Sequence, residues 1–129
     1  MDDRKPFAID EKEYEEAAKD AEDSRDAFVC KLARPFTFEG ESFDSLSFDF
    51  AGLTAADSLA IENEMSGLGL TLVAAEFSGE FLIRMAARAC TTLRTDGRRL
   101  GADAFRALPI KVFTRIRNRC RSFLLSAEL

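Results

Sequence analysis

The sequence contains no histidine and no tryptophan, and in 129 residues it has one tyrosine, three cysteines and three prolines. Without histidine the chain lacks the commonest general base and the commonest transition-metal ligand, which excludes hydrolases built on a Ser-His or Cys-His pair. Cys30, Cys90 and Cys120 are odd in number and far apart, with no CxxC spacing. Neither a disulfide framework nor a zinc site is predicted, and the apolar neighbours of each cysteine predict buried free thiols. No apolar run approaches the roughly 20 residues of a membrane span. The opening MDDRKPFAID lacks the apolar core of a signal peptide, which predicts a chain that stays in the cytoplasm. There is no Gly-rich phosphate loop, and the acidic residues of the first segment lack the glycine and regular spacing of a calcium loop. No cofactor, no metal and no enzymatic activity are expected from these residues.

Apolar residues make up 47% of the chain and charged residues 32%, the balance of a soluble globular domain. The net charge of -5 conceals an asymmetry: residues 1–64 carry 18 acidic and 7 basic side chains, residues 65–129 carry 5 and 11. The split predicts contact between unlike halves, within one chain or between neighbours, or a charged partner. Residues 1–26 are dominated by Asp, Glu, Lys and Ala, and their density of like charge predicts a mobile N-terminal extension. Residues 27–129 are expected to form one domain.

Residues 31–50, KLARPFTFEGESFDSLSFDF, alternate apolar and polar positions around a Glu39-Gly40 pair, the pattern of a half-buried hairpin. A two-residue turn there sets Phe38 opposite Glu41 and Phe36 opposite Phe43. Without a break, Leu46, Phe48 and Phe50 would point to the wrong side. One extra residue near Asp44-Ser45 would restore them, pairing Leu32 with Phe48 and Cys30 with Phe50, so a β-bulge is expected at that place. Pro35 lacks a donor and belongs on an outward-bonding or edge position.

Helices follow. Thr54 and Asp57 resemble a capping box, with Leu59, Ala60 and Met65 along one side, Glu62 and Glu64 solvated, and Gly67 and Gly69 ending the helix. Residues 68–77 fit a strand or a lead-in equally and are left irregular. Ser78 is placed as the cap of a helix through EFLIRMAARACTTL, burying Phe81, Leu82, Met85, Ala86, Ala89 and Leu93. Thr95-Asp96-Gly97 marks a turn, Asp103 a cap for a short helix, and Pro109 the first position of a final helix over residues 109–125. In that helix Val112, Phe113, Ile116, Cys120, Phe123 and Leu124 fill one arc, edged by Arg115 and Arg119 on one side and Arg117 and Arg121 on the other. The fold class is therefore α+β, an N-terminal β-hairpin packed on a bundle of three to four α-helices.

Arginines that straddle an apolar stripe in an acidic chain favour salt bridges to the same chain, a second copy or a protein partner over nucleic acid. The twelve phenylalanines are mostly core, with a surplus in the hairpin that favours an oligomer or an apolar client. Arg115, Arg117, Arg119, Arg121, Phe36, Phe38 and Phe43 are the candidate partner-binding residues.

The order of these signals resembles phage tail assembly chaperones of the Mu-like kind. The shared features are LARPFTFEGESFDSLSFDF, the helix start Leu53-Thr54 with Asp57 and a glutamate at Glu62 or Glu64, the segment Met85-Ala86-Ala87-Arg88-Ala89, the Leu108-Pro109 turn, and the close Phe123-Leu124-Leu125. Lys111-Val112-Phe113 stands where the family often has an acidic residue, and the long acidic extension is not part of the pattern. The resemblance implies a non-enzymatic protein of the bacterial host cytoplasm, absent from the mature virion. It implies binding to the tape measure protein, which is kept soluble while tail tube protein polymerises around it, and self-association of the chaperone. A structural tail or baseplate subunit is the alternative.

Overall fold

The computed structural model describes residues 27–126; the acidic extension expected over residues 1–26 lies outside them. Strand β1 (Ala27–Phe38) pairs antiparallel with β2 (Glu41–Asp49). The turn between them has positive φ at both central residues, 49° at Glu39 and 82° at Gly40, the requirement of the tight hairpin turn that matches strand twist. Four helices follow: α1 (Ala55–Gly67), α2 (Gly79–Ala89), α3 (Ala102–Arg106) and α4 (Ile110–Ser126). The architecture is the expected α+β hairpin with helices.

The register near the turn is as expected, Phe36 with Phe43 and Phe38 with Glu41. The irregularity beyond it is not. Lys31 pairs with Ser45, Cys30 with Leu46 and Phe28 with Phe48, so the extra residues lie in β1 between Lys31 and Phe36, not in β2 near Asp44. The physical reason is Pro35. A residue without an N–H is cheapest where the ladder is already interrupted, and the interruption lets Phe43 and Leu46, of opposite parity in β2, both turn inward.

The hairpin's inner face is aromatic. Phe28 stacks on Phe48 at 6.0 Å, Phe48 meets Phe105 of α3 at 5.9 Å, and Phe50 meets Phe123 of α4 at 5.5 Å between ring centroids. These rings join α2, which packs against α1, α3, α4 and β2 and buries Phe81, Leu82, Ile83, Met85, Ala86 and Ala89. Ser78 caps α2 as expected, its Oγ accepting from the Phe81 N–H at 3.1 Å. The helix stops at Ala89, short of the expected Leu93. Cys90 turns extended and bridges to Phe48, and Thr91 donates its N–H to the Ser47 carbonyl at 2.8 Å. The β-branched pair Thr91-Thr92 favours this extended backbone, which covers the free edge of β2. Leu93 is accordingly exposed.

Two further expectations are corrected. In α1 the buried residues are Ile61 and Met65, one turn apart, and Leu59 faces solvent. Asp103 sits inside the first turn of α3, whose cap position is Gly101. Residues 68–77 are irregular apart from a 3-10 turn at Ala75–Phe77.

The end of α1 offers a paired test. Gly67 has ordinary backbone geometry and open space where a Cβ would stand, whereas Gly69 has φ of 77°. Gly67→Ala is expected to stabilise the fold by about 0.4–1 kcal/mol by restricting the unfolded chain. Gly69→Ala should destabilise it, because the alanine is strained at that φ. Urea unfolding of both variants checks the opposite signs.

Candidate interaction surface

The arginines of α4 do not form ion pairs among the described residues. Arg115 donates from Nη1 to the Lys31 carbonyl at 3.1 Å, so it caps a backbone acceptor of β1. Arg119 lies 4.4 Å over the Phe28 ring, Arg117 5.8 Å from the Phe113 ring and Arg121 5.4 Å from the Phe77 ring. Arg121 also donates from Nε to the Glu76 carbonyl at 2.8 Å. Guanidinium faces on rings and N–H groups on carbonyls make these side chains part of the packing. Arg117 Nε and Arg119 Nη1 are buried without an acceptor.

Of the hairpin candidates, Phe36 and Phe43 belong to the buried core and offer no surface, while Phe38 is half-buried with Arg94 5.5 Å over its ring. The hairpin therefore hides its phenylalanines, and its apolar face is covered by the chain's own helices.

The charge asymmetry is largely resolved inside the chain. Glu39 and Glu41 accept from Arg94 at 2.6 and 3.0 Å, Asp57 from Arg88 at 2.8 Å, and Glu64 from Arg84 at 2.8 Å. Each pair joins an acid of the first half to an arginine of the second. Glu64 is thus a partner of α2, and not simply solvated. Arg84 is the one the sequence does not reveal. It is 4% exposed on a helix that is otherwise apolar on that side, and it also donates from Nη1 to Glu80 at 2.6 Å. Glu80 in turn holds Arg106 of α3 at 2.6 Å. The Arg106 and Arg84 guanidinium groups together hold the Glu80 carboxyl down at about 2. Glu41 is lowered by the Thr95 N–H and by Arg94, Asp57 by the Thr54 N–H and by Arg88. Signals at i, i+4 such as Glu80 and Arg84 are legible in sequence; the burial of that arginine is not.

The exposed apolar surface lies where the sequence pattern was ambiguous. Val73 is 93% exposed and Phe77 69%, with Leu68 and Leu70 also on the surface of the same segment. Beside this ridge, a groove of about 560 Å³ opens between the start of α2, α3 and the start of α4. Gly79, Ile83, Phe105, Leu108, Ile110 and Phe113 line it, with Glu80 and Arg106 at its wall. Ile110 is 79% exposed at its rim.

The three cysteines are free and buried. Burial pushes Cys120 up to about 12 and raises Cys30 and Cys90, which leaves these thiols protonated at neutral pH. Among the described residues no three acidic or cysteine side chains cluster as a metal would need, and no helix is long and apolar enough to cross a membrane. No family model, no curated protein and no solved structure matches the chain.

Proposed function

We propose that this protein is a non-enzymatic tail assembly chaperone of a phage or prophage, which binds the tape measure protein in the host cytoplasm and keeps it soluble while the tail tube polymerises. The order of motifs along residues 31–125 motivates the reading. The observation that carries it is the solvent-facing ridge of Val73 and Phe77, set beside an apolar groove and backed by a guanidinium on an aromatic ring. A small domain that buries its hairpin aromatics yet leaves these side chains in water has a surface suited to covering another protein's apolar stripe. Tape measure protein, a long amphipathic helical chain, exposes such stripes before its shell exists. Tail tube protein and further copies of this chain are the other partners in this reading.

The test is co-expression with the tape measure protein of the same phage. Wild-type chain is expected to raise its soluble fraction severalfold, and Val73→Glu with Phe77→Glu to abolish the gain while leaving the thermal transition in place. No gain from the wild type refutes the proposal. Recovery of the protein from purified mature particles by mass spectrometry assigns it instead to the tail or baseplate structure.

A further inference from the structure

The groove and the ridge lie along one face of α4. Phe113, at the groove, is followed at steps of four by Arg117 and Arg121, and Arg121 sits on the ring of Phe77. Eight residues of helix separate Phe113 from Arg121, about 12 Å. Two apolar receptors are therefore spaced about two turns apart, with Arg117 between them. Its Nε is buried and has no acceptor among the described residues, and its guanidinium lies against the Phe113 ring.

The charge around this face is one-sided. Glu80 is the only carboxylate lining the groove among the described residues, and Arg84 and Arg106 both hold it. Arg106, the exposed Lys111, Arg117 and Arg121 remain around the apolar floor. Residues 27–126 as a whole carry 13 basic and 11 acidic side chains, although the full chain is acidic.

We infer that this face of α4 binds an amphipathic helical segment of a client that places large apolar side chains seven or eight residues apart, one in the Ile83–Ile110–Phe113 groove and one against Phe77, with an Asp or Glu between them that pairs with Arg117. The inference rests on the protein-binding reading above and gives that client surface its chemistry. Helix-in-groove recognition supplies the anchor spacing, and the carboxylate supplies the acceptor that Arg117 lacks. A basic client segment of the same apolar pattern would meet Lys111, Arg117 and Arg121 as like charges and bind more weakly.

The probes are two helix-stapled peptides of sixteen residues, identical in their leucine anchors seven apart and differing only in Glu or Lys at the intervening exposed positions. Binding to the full chain is read by fluorescence anisotropy and by amide chemical shifts. The Glu peptide is expected to bind at least tenfold more tightly, with shifts centred on Gly79, Ile83, Phe113 and Arg117. Ile110→Glu and Gly79→Leu are expected to weaken it at least tenfold. Ile110 is exposed and the Cβ position of Gly79 is open, so either variant serves if the other unfolds. Arg117→Gln should remove most of the preference for Glu over Lys. Equal affinity for the two peptides, or shifts confined to other faces, overturns the inference. So do free-chain shifts at these residues that grow with protein concentration, which give the groove to a second copy. Protection of the groove in the free chain at every concentration gives it to a segment of the same chain and overturns it as well. If Ile110→Glu still solubilises the tape measure protein, the chaperone reading stands and this surface falls. If the peptides behave as expected while wild type fails to solubilise it, the surface stands and the chaperone reading falls.

Discussion

Replacing Phe50 by alanine is expected to lower the unfolding free energy by about 3–5 kcal/mol. Phe50 is fully buried just past β2, stacked between Phe48 of the hairpin at 6.0 Å and Phe123 of α4 at 5.5 Å. It joins the first-made element to the last. Truncation removes the transfer free energy of the ring and leaves a cavity that two rigid aromatic neighbours fill poorly. Against a total stability of about 5–15 kcal/mol for a domain of this size, such a loss populates the unfolded state measurably. Phe77→Ala is the control, since Phe77 is 69% exposed and its truncation should change stability by no more than about 0.5 kcal/mol. Chemical denaturation of both variants decides the matter; a Phe50→Ala loss below about 1 kcal/mol would contradict the packing described.

Arg84→Ala should cost about 2 kcal/mol, because charge-assisted hydrogen bonds to Glu64 and Glu80 are lost from a buried position. The partners set the limit: with side chains 53% and 40% exposed, both carboxylates regain water when the arginine is gone. Arg84→Met, which keeps the apolar stem, should recover much of the loss. The pH dependence follows from Glu80, whose carboxyl falls from its ordinary 4.5 to about 2 in the fold. A group depressed in the folded state stabilises fully above its unfolded value, and that contribution disappears as pH drops through the folded one. Stability should therefore decline between about pH 4.5 and 2 on account of Glu80. In Arg84→Met this decline should shrink without vanishing, since Arg106 still holds the carboxylate. Thermal melts across that range test both statements; an Arg84→Ala protein as stable as wild type, or an unchanged acid slope in Arg84→Met, would refute them.

Much of the fold was legible because local chemistry and tertiary packing agree. Glu39-Gly40 specifies the turn, Ser78 the start of α2, and the stripe from Phe81 to Ala89 the buried face of α2. The errors arise where an edge or a partner decides. The bulge lies in β1 because an interrupted ladder tolerates Pro35, a choice that alternation alone does not express. The end of α2 is set by the edge of β2, which takes Thr91 as a partner. The site was legible only in part. A helical wheel places Arg117 and Arg121 beside the apolar arc, but not which rings lie under them. Phe36 and Phe43 looked like surface because two strands alone do not show what covers them. Val73 and Phe77 looked like a strand or a lead-in, and their exposure follows from the irregular path between α1 and α2.

The ties between Glu39 and Arg94, Asp57 and Arg88, and Lys31 and Arg115 span 55, 31 and 84 positions of the chain. A ribosome delivers the acids, and the hairpin's greasy face, well before any of the arginines and helices that complete them. Until then the nascent half is a polyanion with no counter-charge of its own, and mutual repulsion between such halves on neighbouring ribosomes holds their bare phenylalanines apart. The uneven placement of charge along the gene product thus guards the interval between synthesis and folding, and ceases to matter once the last helix closes.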